Sequence, residues 1–395
     1  MRVIVASRIF APEPAAAAFR LEALTLELLA RGHEVEVLTT RFENARSETR
    51  ARLRIRRAAV ARSRDGFVRG YLSYLSFDTP LFFRLVTARR AAVVVVEPPP
   101  TSGLVALVAC AIRRTPVVWY AADVWSDAAV IAGASRPVIG LLRRVEAFVM
   151  RRAAAVLAVS TDVGDRVREL SGREAVVVGN GVDTGVFEPG AKSTPSATTP
   201  TFVYAGTASE FQGAQVFVDA FAELLRQHPS ARLTMLGGGQ DAAALAARAG
   251  EFDDGALTVL ARQSALVAAD QMRRATASLA SIVPGVGYDF AVPTKIYASS
   301  ACGTPVIFAG PDAAASLVVR SAPLGWAVPY DAFAIADAMG AAIDESTAPE
   351  HTARRGQLSA WAVRNGSLAE VARRAADVVE GVVGSREDRL LDSTT

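Results

Sequence analysis

A lysine raises the first question of chemistry. The chain holds 41 arginines but only two lysines, Lys192 and Lys295. Lys295 lies in Pro293-Thr294-Lys295-Ile296-Tyr297, ahead of the small residues Ala298-Ser299-Ser300-Ala301. The pattern predicts a helix start, with Pro293 setting the entry and Thr294 able to cap. An ammonium in a first turn opposes the positive end of the helix dipole, and an anion held between the two resolves the conflict. A diphosphate is the obvious candidate. Gly206-Thr207-Ala208-Ser209 and Gly237-Gly238-Gly239, each after an apolar run, point the same way, because glycine lets backbone amides approach an oxyanion. The triple glycine lacks the GxGxxG spacing with a downstream acid, so a dinucleotide fingerprint is absent, and no Walker motif occurs.

In the first half, Trp119-Tyr120-Ala121-Ala122-Asp123-Val124-Trp125-Ser126-Asp127 follows another apolar run. Aromatic rings beside carboxylates suit a sugar, since rings cover its apolar faces and carboxylates accept from its hydroxyls. Asp123 is the best-placed carboxylate there, with a helix N-cap as the alternative role. The loop Ala11-Pro12-Glu13-Pro14-Ala15 belongs to the same end of the fold. Arg20, about a turn into the next helix, either reaches an acceptor anion or sits in solvent. The histidines, His33, His228 and His351, fall at helix ends or between elements and read as structural. No GxSxG elbow is present, and no Cys/His cluster has metal-ligand spacing.

Composition narrows the class. With 395 residues, 51% of them hydrophobic, the chain is expected to form two folded domains. Cys110 and Cys302 make no disulfide framework, which fits a cytoplasmic protein. The start is too short an apolar run for a signal peptide, and no stretch reaches the length of a spanning helix. Charge divides unequally: residues 1–190 carry 27 arginines against 19 acids, whereas residues 191–395 are net acidic. A basic half suggests an anionic partner. Arginines gather at 46–64 and at Arg143, Arg144, Arg151 and Arg152, but no nucleic-acid motif accompanies them, which favours an anionic membrane surface or simple solvation.

Apolar runs alternating with helical patterns predict parallel sheets covered by helices. Strands are expected at 3–7, 34–40, 92–97, 116–123, 155–160 and 175–180, with a helix over 16–31. The segment 189–200 reads as a linker. The pattern then restarts, with strands expected at 201–206, 231–237, 256–260, 277–283, 304–310 and 325–329 and a helical end over about 331–383. Two Rossmann-like, doubly wound α/β domains facing across a cleft are therefore expected: an N-terminal domain over 1–188 and a C-terminal one over 201–365. Residues 366–395 are expected to form a terminal helix packing back toward the first domain. Functional residues belong just after strands.

The residues at this point resemble a family. Phe10-Ala11-Pro12-Glu13 through Arg31-Gly32-His33-Glu34-Val35, then Val159-Ser160, Asn180-Gly181-Val182-Asp183 with Phe187 and Pro189, Tyr204-Ala205-Gly206, and Ala301-Cys302-Gly303-Thr304-Pro305-Val306-Ile307 together resemble the retaining, nucleotide-sugar-dependent glycosyltransferases of family 4, with the GT-B fold. The likeness spans nearly the whole chain in order. Departures accompany it. Ala15 to Ala18 replace paired glycines of the first loop. Thr207 and Glu210 stand in the loop that usually carries an Arg and a Lys. Phe290 and Ala298 occupy the register of two family glutamates, of which the second commonly holds the donor ribose. Pro293-Thr294-Lys295 matches a subgroup with a Pro-Ser/Thr-Lys turn.

The resemblance implies transfer of a sugar, with retention, from a nucleoside diphosphate sugar to a hydroxyl acceptor, with no cofactor and no metal. It assigns Asp123, Lys295 and Asp289 to catalysis, and Gly206, Thr207, Gly237, Gly238, Arg262, Thr294, Lys295 and Tyr297 to the donor. Arg262 is expected against the base and Asp289 at the sugar. The acceptor is expected at Arg20, Asp123 and Trp125. A lipid-linked acceptor in cell-envelope polysaccharide or glycolipid synthesis fits the basic first half, and a soluble natural-product acceptor fits as well. Two other readings stand beside this one, a GT-B protein that binds a nucleotide sugar without transferring it and a nucleotide-sugar epimerase.

Overall fold

The computed structural model describes all residues except 14, 43–44, 62–70, 132, 191–197, 240, 254, 322 and 393–395. Pro14 of the first loop, Arg62 and Arg64 of the basic run, and Lys192 with most of the 189–200 segment lie outside the described residues.

The first unit comprises Met1–Asn180 and Leu368–Thr395. In chain order its elements are β1 (Arg2–Ala6), α1 (Ala16–Ala30), β2 (Glu34–Thr40), β3 (Glu48–Arg50), β4 (Leu53–Ala58), α2 (Tyr71–Thr87), β5 (Val93–Val96), α3 (Pro100–Arg113), β6 (Val117–Ala121), α4 (Trp125–Ile131), α5 (Arg136–Arg152), β7 (Ala155–Ala158), α6 (Thr161–Ser171) and β8 (Val176–Val177). The sheet order is β3-β4-β2-β1-β5-β6-β7-β8, parallel except for the β3–β4 pair. Continuous apolar strands such as Val93–Val96, all buried, follow from having helices on both faces. The connection reverses between β1 and β5, which makes that the switch point. The pair β3–β4 is absent from the sequence reading. Only Leu53 and Ile55 alternate with Arg54, Arg56 and Arg57, so a period of two was hidden in what read as a charge cluster, although Ile55 is core.

The second unit is Gly181–Ser367. It contains β9 (Thr201–Ala205), α7 (Gln215–Leu225), β10 (Arg232–Leu236), α8 (Ala242–Arg248), β11 (Leu257–Leu260), α9 (Ala265–Arg274), β12 (Ala277–Ser281), α10 (Thr294–Ala301), β13 (Val306–Ala309), α11 (Asp312–Ser316), β14 (Gly325–Val328), α12 (Ala332–Ser346) and α13 (His351–Asn365). Six parallel strands run β11-β10-β9-β12-β13-β14, and the switch point lies between β9 and β12. Phe217 and Phe221 of α7, with Ile335 and Met339 of α12, cover one face. Met272, Ile296, Leu358 and Trp361 cover the other.

The chain passes between units at 180/181 and 367/368, ahead of the 189–200 segment. Val182 donates its amide to the Gly366 carbonyl at 2.8 Å, so the stretch after Asn180 already belongs to the second unit. The last helix, α14 (Leu368–Asp392), returns to the first unit. Val371, Ala375 and Val379 join Leu21, Leu24 and Leu28 of α1 in one core. Beside them Arg31 bonds Asp377 and Glu380 at 2.7 and 2.8 Å, and His33 contacts Glu380 at 2.6 Å.

Candidate functional site

In the second unit the loops after β9, β10 and β12 converge at the switch point, where ligands of open α/β sheets bind. Lys295, in the first turn of α10, is buried there. Its Nζ donates to Gln212 Oε1 at 2.7 Å and to the Tyr204 hydroxyl at 3.2 Å. It also lies 4.5 Å from the centre of the Tyr204 ring. Tyr204 Oη contacts Gln212 Oε1 at 2.7 Å and the Thr207 carbonyl at 3.0 Å. The ring quadrupole favours the cation, but no carboxylate bonds it among the described residues. Burial therefore pushes the ammonium down to about 7, and the same burial pushes the Tyr204 hydroxyl up.

Glycines make the space. Gly206 has φ +145°, and a Cβ there would sit 2.5 Å from Lys295 Cε. A Cβ on Gly237 would sit 1.9 Å from the Gly206 carbonyl oxygen. These glycines do not mainly supply amides for an anion, contrary to the sequence expectation. The amides of Gly206, Ala208 and Gly237 donate to the carbonyls of Leu236, Gly238 and Leu260, and this zips the loops onto the sheet. The amides of Thr207 and Gly238 make no hydrogen bond among the described residues. Thr207 itself is exposed.

Thr294 does not cap. Pro293 is the N-cap residue, with no side-chain bond, and Thr294 is the first residue of the helix. Tyr297 is not in the Lys295 cluster. Its ring stacks on Trp361 of α13, with centroids 5.9 Å apart at 11°, because two helical residues on is roughly 200° around the axis. Asp289 accepts the Gly285 amide at 2.8 Å and closes the turn after β12. Arg262 is exposed beyond β11, the sheet's edge strand. Ala298 is buried in the core with Trp361. The sequence reading missed Gln212 and Tyr204 as partners of Lys295. It also missed the stack of Phe211 on Tyr288, 4.5 Å apart, with Phe290 beyond; only the fold brings these loops together.

In the first unit the switch point is filled differently. Arg20 is not free for an acceptor. It is buried and bonds Glu97 through Nε at 3.2 Å and Nη2 at 2.7 Å. Its guanidinium also lies 5.1 Å from the Tyr120 ring centre. Ser7 reaches the same carboxylate at 3.4 Å. Burial raises the Glu97 carboxyl, and Arg20 pulls it back down. Trp119 and Tyr120 are fully buried in β6, which leaves Trp125 alone of that aromatic run to meet a sugar; Arg8 lies 5.3 Å from its ring. Asp123 is not the cap of α4. The buried Glu146 of α5 accepts the amides of Trp125 and Ser126 at 2.8 and 3.0 Å. Asp123 is exposed, yet its carboxyl is pushed up to about 6, first by crowding that strips water from it. Arg20 opposes that rise and Glu97 adds to it. Its open edge screens the shift.

Cys110 and Cys302 are buried and free. Among the described residues no helix is long and apolar enough to cross a membrane, and no group of His, Cys, Asp and Glu is arranged to hold a metal ion.

The model of the glycosyl transferase 4-like domain matches residues 16–181, and that of the glycosyl transferases group 1 matches 199–345. No curated protein matches the chain in sequence. Among solved structures, sucrose-phosphate synthase from Thermosynechococcus elongatus is similar with a TM-score of 0.73 at 14% identity, over 98% of this chain and 100% of that one. Anabaena HepE in complex with UDP-glucose gives 0.69 at 15%, over 96% and 100%. WaaG, a glycosyltransferase involved in lipopolysaccharide biosynthesis, gives 0.67 at 15%, over 96% and 100%. At such identities the likeness is one of fold. With the two domain matches, it establishes that the chain belongs to the GT-B glycosyltransferases, with a glycosyl transferase 4-like domain followed by a group 1 domain.

Proposed function

We propose that the protein is a retaining glycosyltransferase that moves a sugar from a nucleoside diphosphate sugar to a hydroxyl acceptor. One observation carries this reading: a buried ammonium, Lys295, bonded among the described residues only to neutral groups at the switch point of the group 1 domain. Such a charge is stabilised by a bound anion, and HepE, of the same fold, holds UDP-glucose. The diphosphate lies against Lys295, the free amides of Thr207 and Gly238, and the first turn of α10. Gln212 and Tyr204 aim the ammonium.

In the reaction the sugar's C1–O bond to the diphosphate breaks and the acceptor oxygen bonds C1 on the same face. The acceptor's proton passes to the departing phosphate. Charge grows on that phosphate, so Lys295 acts most strongly in the transition state. Arg262 lies against the base and Asp289 shapes the sugar loop. Asp123 and Trp125 hold the acceptor, while Arg20 keeps Asp123's surroundings in place. No cofactor takes part. An acceptor in cell-envelope polysaccharide or glycolipid synthesis, met at the cytoplasmic face of an anionic membrane, is supported by the arginine excess of the first half. The exposed Phe83, Ile112 and Leu141 on α2, α3 and α5 support it too.

The test is a donor screen by thermal shift, followed by nuclear magnetic resonance of the product. An α-linked donor is expected to give an α-linked product, and Lys295→Ala to lower turnover at least tenfold. One charged contact to phosphate contributes about 1.5–3 kcal/mol. An inverted product, or epimerised donor formed without acceptor, would remove this reading.

A further inference from the structure

Part of the basic run at 46–64 forms a recess in the first unit. On β4, Arg54 and Arg56 share one face, because they are two residues apart. Thr49 of β3 stands opposite Arg54 in the ladder. Arg84 of α2 packs on the same side, donating to the carbonyls of Arg56 and Thr39. Together with Ser47 and Arg57 these residues line a cavity of about 300 Å³, at the lower end of the range for small-molecule sites.

Its charge is poorly compensated. Arg54 makes no ion pair among the described residues. Among the described residues Arg84 bonds only carbonyl oxygens. Arg57 donates to the carbonyls of Arg46 and Ala11, and Glu48 and Glu13 lie near enough to favour its charge. Arg56 meets a carboxylate, Glu36 at 3.4 Å, which also lies 3.9 Å from Arg2. Burial, and then Arg56, push the Arg84 guanidinium down to about 10, against the pull of Glu36. On the face shared by Arg54, Arg56 and Arg84 the carboxylate is Glu36, opposite Arg54 in the ladder and divided between Arg56 and Arg2, so three guanidiniums there outnumber it.

We propose that this recess, faced by Arg54, Arg56 and Arg84 with the hydroxyls of Ser47 and Thr49, binds a phosphate monoester. Planar guanidinium forks match phosphate oxygens in pairs, and a dianion offsets the excess better than a single carboxylate does. Arg54 and Thr49 also border a neighbouring recess with Arg2, Arg52 and Arg89, but Glu34 and Glu36 line that one too, so the charge left for a compact phosphate lies in the first recess. The recess reaches the carboxyl end of the sheet, since Arg57 and Ala58 pair with Thr39 and Thr40, the last residues of β2. Arg57 also holds the carbonyl of Ala11, in the loop after β1. Ligands of open α/β sheets lie at that end. The phosphate is therefore one carried by the acceptor. That last assignment rests on the transfer reading, whereas the phosphate site does not.

The experiment titrates the full chain at low salt with inorganic phosphate and with glucose 1-phosphate, followed by calorimetry. Wild type and Lys295→Ala are expected to bind both with similar affinity. Arg54→Glu, at an exposed position, is expected to bind at least tenfold more weakly with an unchanged melting temperature, and Arg54→Lys to retain part of the affinity. Binding that disappears in Lys295→Ala but persists in Arg54→Glu assigns the phosphate to the other unit and overturns the proposal. No binding by wild type of either phosphate or of the vesicles below overturns it as well. Vesicles of phosphatidylcholine with and without one-fifth phosphatidic acid separate the sources. Arg54-dependent capture by the acidic vesicles identifies a lipid headgroup, and Arg54-dependent binding of glucose 1-phosphate without capture identifies a soluble phosphate. Either supports the site. Arg54-dependent phosphate binding by a protein that transfers no sugar supports the pocket and counts only against the transfer reading.

Discussion

The Lys295 ammonium lies 4.5 Å from the centre of the Tyr204 ring and 3.2 Å from its hydroxyl. Both residues are buried. A strand of the sheet thus presents an aromatic face to a cation that arrives from the helix after the switch point. The pair holds the charge in place without neutralising it, which leaves the charge available to a ligand.

Donor affinity is expected to depend on pH through that lysine. Its pKa is about 7 in the folded protein, below its ordinary 10.5, and a bound diphosphate raises it again. Affinity should therefore fall up to about tenfold per pH unit above 7, with proton uptake on binding. Calorimetry in buffers of different ionisation enthalpy measures the proton count. Lys295→Met should abolish it. The sign for stability is opposite. The unfolded chain binds more protons between about 7 and 10.5, so the donor-free protein gains stability as pH rises through that window. Lys295→Met should be more stable than wild type near pH 6 and should lose this gain.

Two neighbouring glycines should behave differently. Gly206→Ala places a Cβ 2.5 Å from Lys295 Cε at φ +145°, so it should displace the ammonium and weaken donor binding at least tenfold. Gly238→Ala meets nothing within 4 Å and should leave melting temperature and donor affinity close to wild type. Equal effects would mean that the loop's backbone, not the contact with Lys295, matters.

Removing Arg20 should unfold more than it disables. Arg20→Met leaves Glu97 buried without its partner, at a cost of about 3–5 kcal/mol, measurable by urea denaturation. Burial already raises the Glu97 carboxyl. Without Arg20 the penalty should be largest at pH 8 and shrink toward pH 5 as Glu97 takes up a proton. Pairing Arg20→Met with Glu97→Gln should recover most of the loss. If Arg20→Met kept wild-type stability and lost only acceptor affinity, the guanidinium would be an acceptor ligand after all.

Tyr297→Phe should leave both kinetic constants of the donor within about twofold of wild type, since the ring stacks on Trp361. Tyr297→Ala should cost about 3–5 kcal/mol of stability through the cavity it opens. A selective rise in donor KM for the Phe variant would return the hydroxyl to the donor site.

Strand positions and the doubly wound order were legible in the sequence because buried parallel strands read as apolar runs, as in Val93–Val96, and because glycines and prolines punctuate them. Lys295 was legible too, as a lone cation in a helix's first turn. What surrounds it was not. Gln212 and Tyr204 reach it from loops and strands distant in sequence, and only the β9–β12 switch point brings them within hydrogen-bonding distance. The fold alone decided that Arg20 pairs with Glu97, that Glu146 and not Asp123 caps α4, and that Tyr297 faces Trp361. Each of these is a contact between side chains that share no local period. Local pattern governs which elements form and which face they bury. Partner choice among polar groups depends on which strand ends meet, and chain distance carries no trace of that.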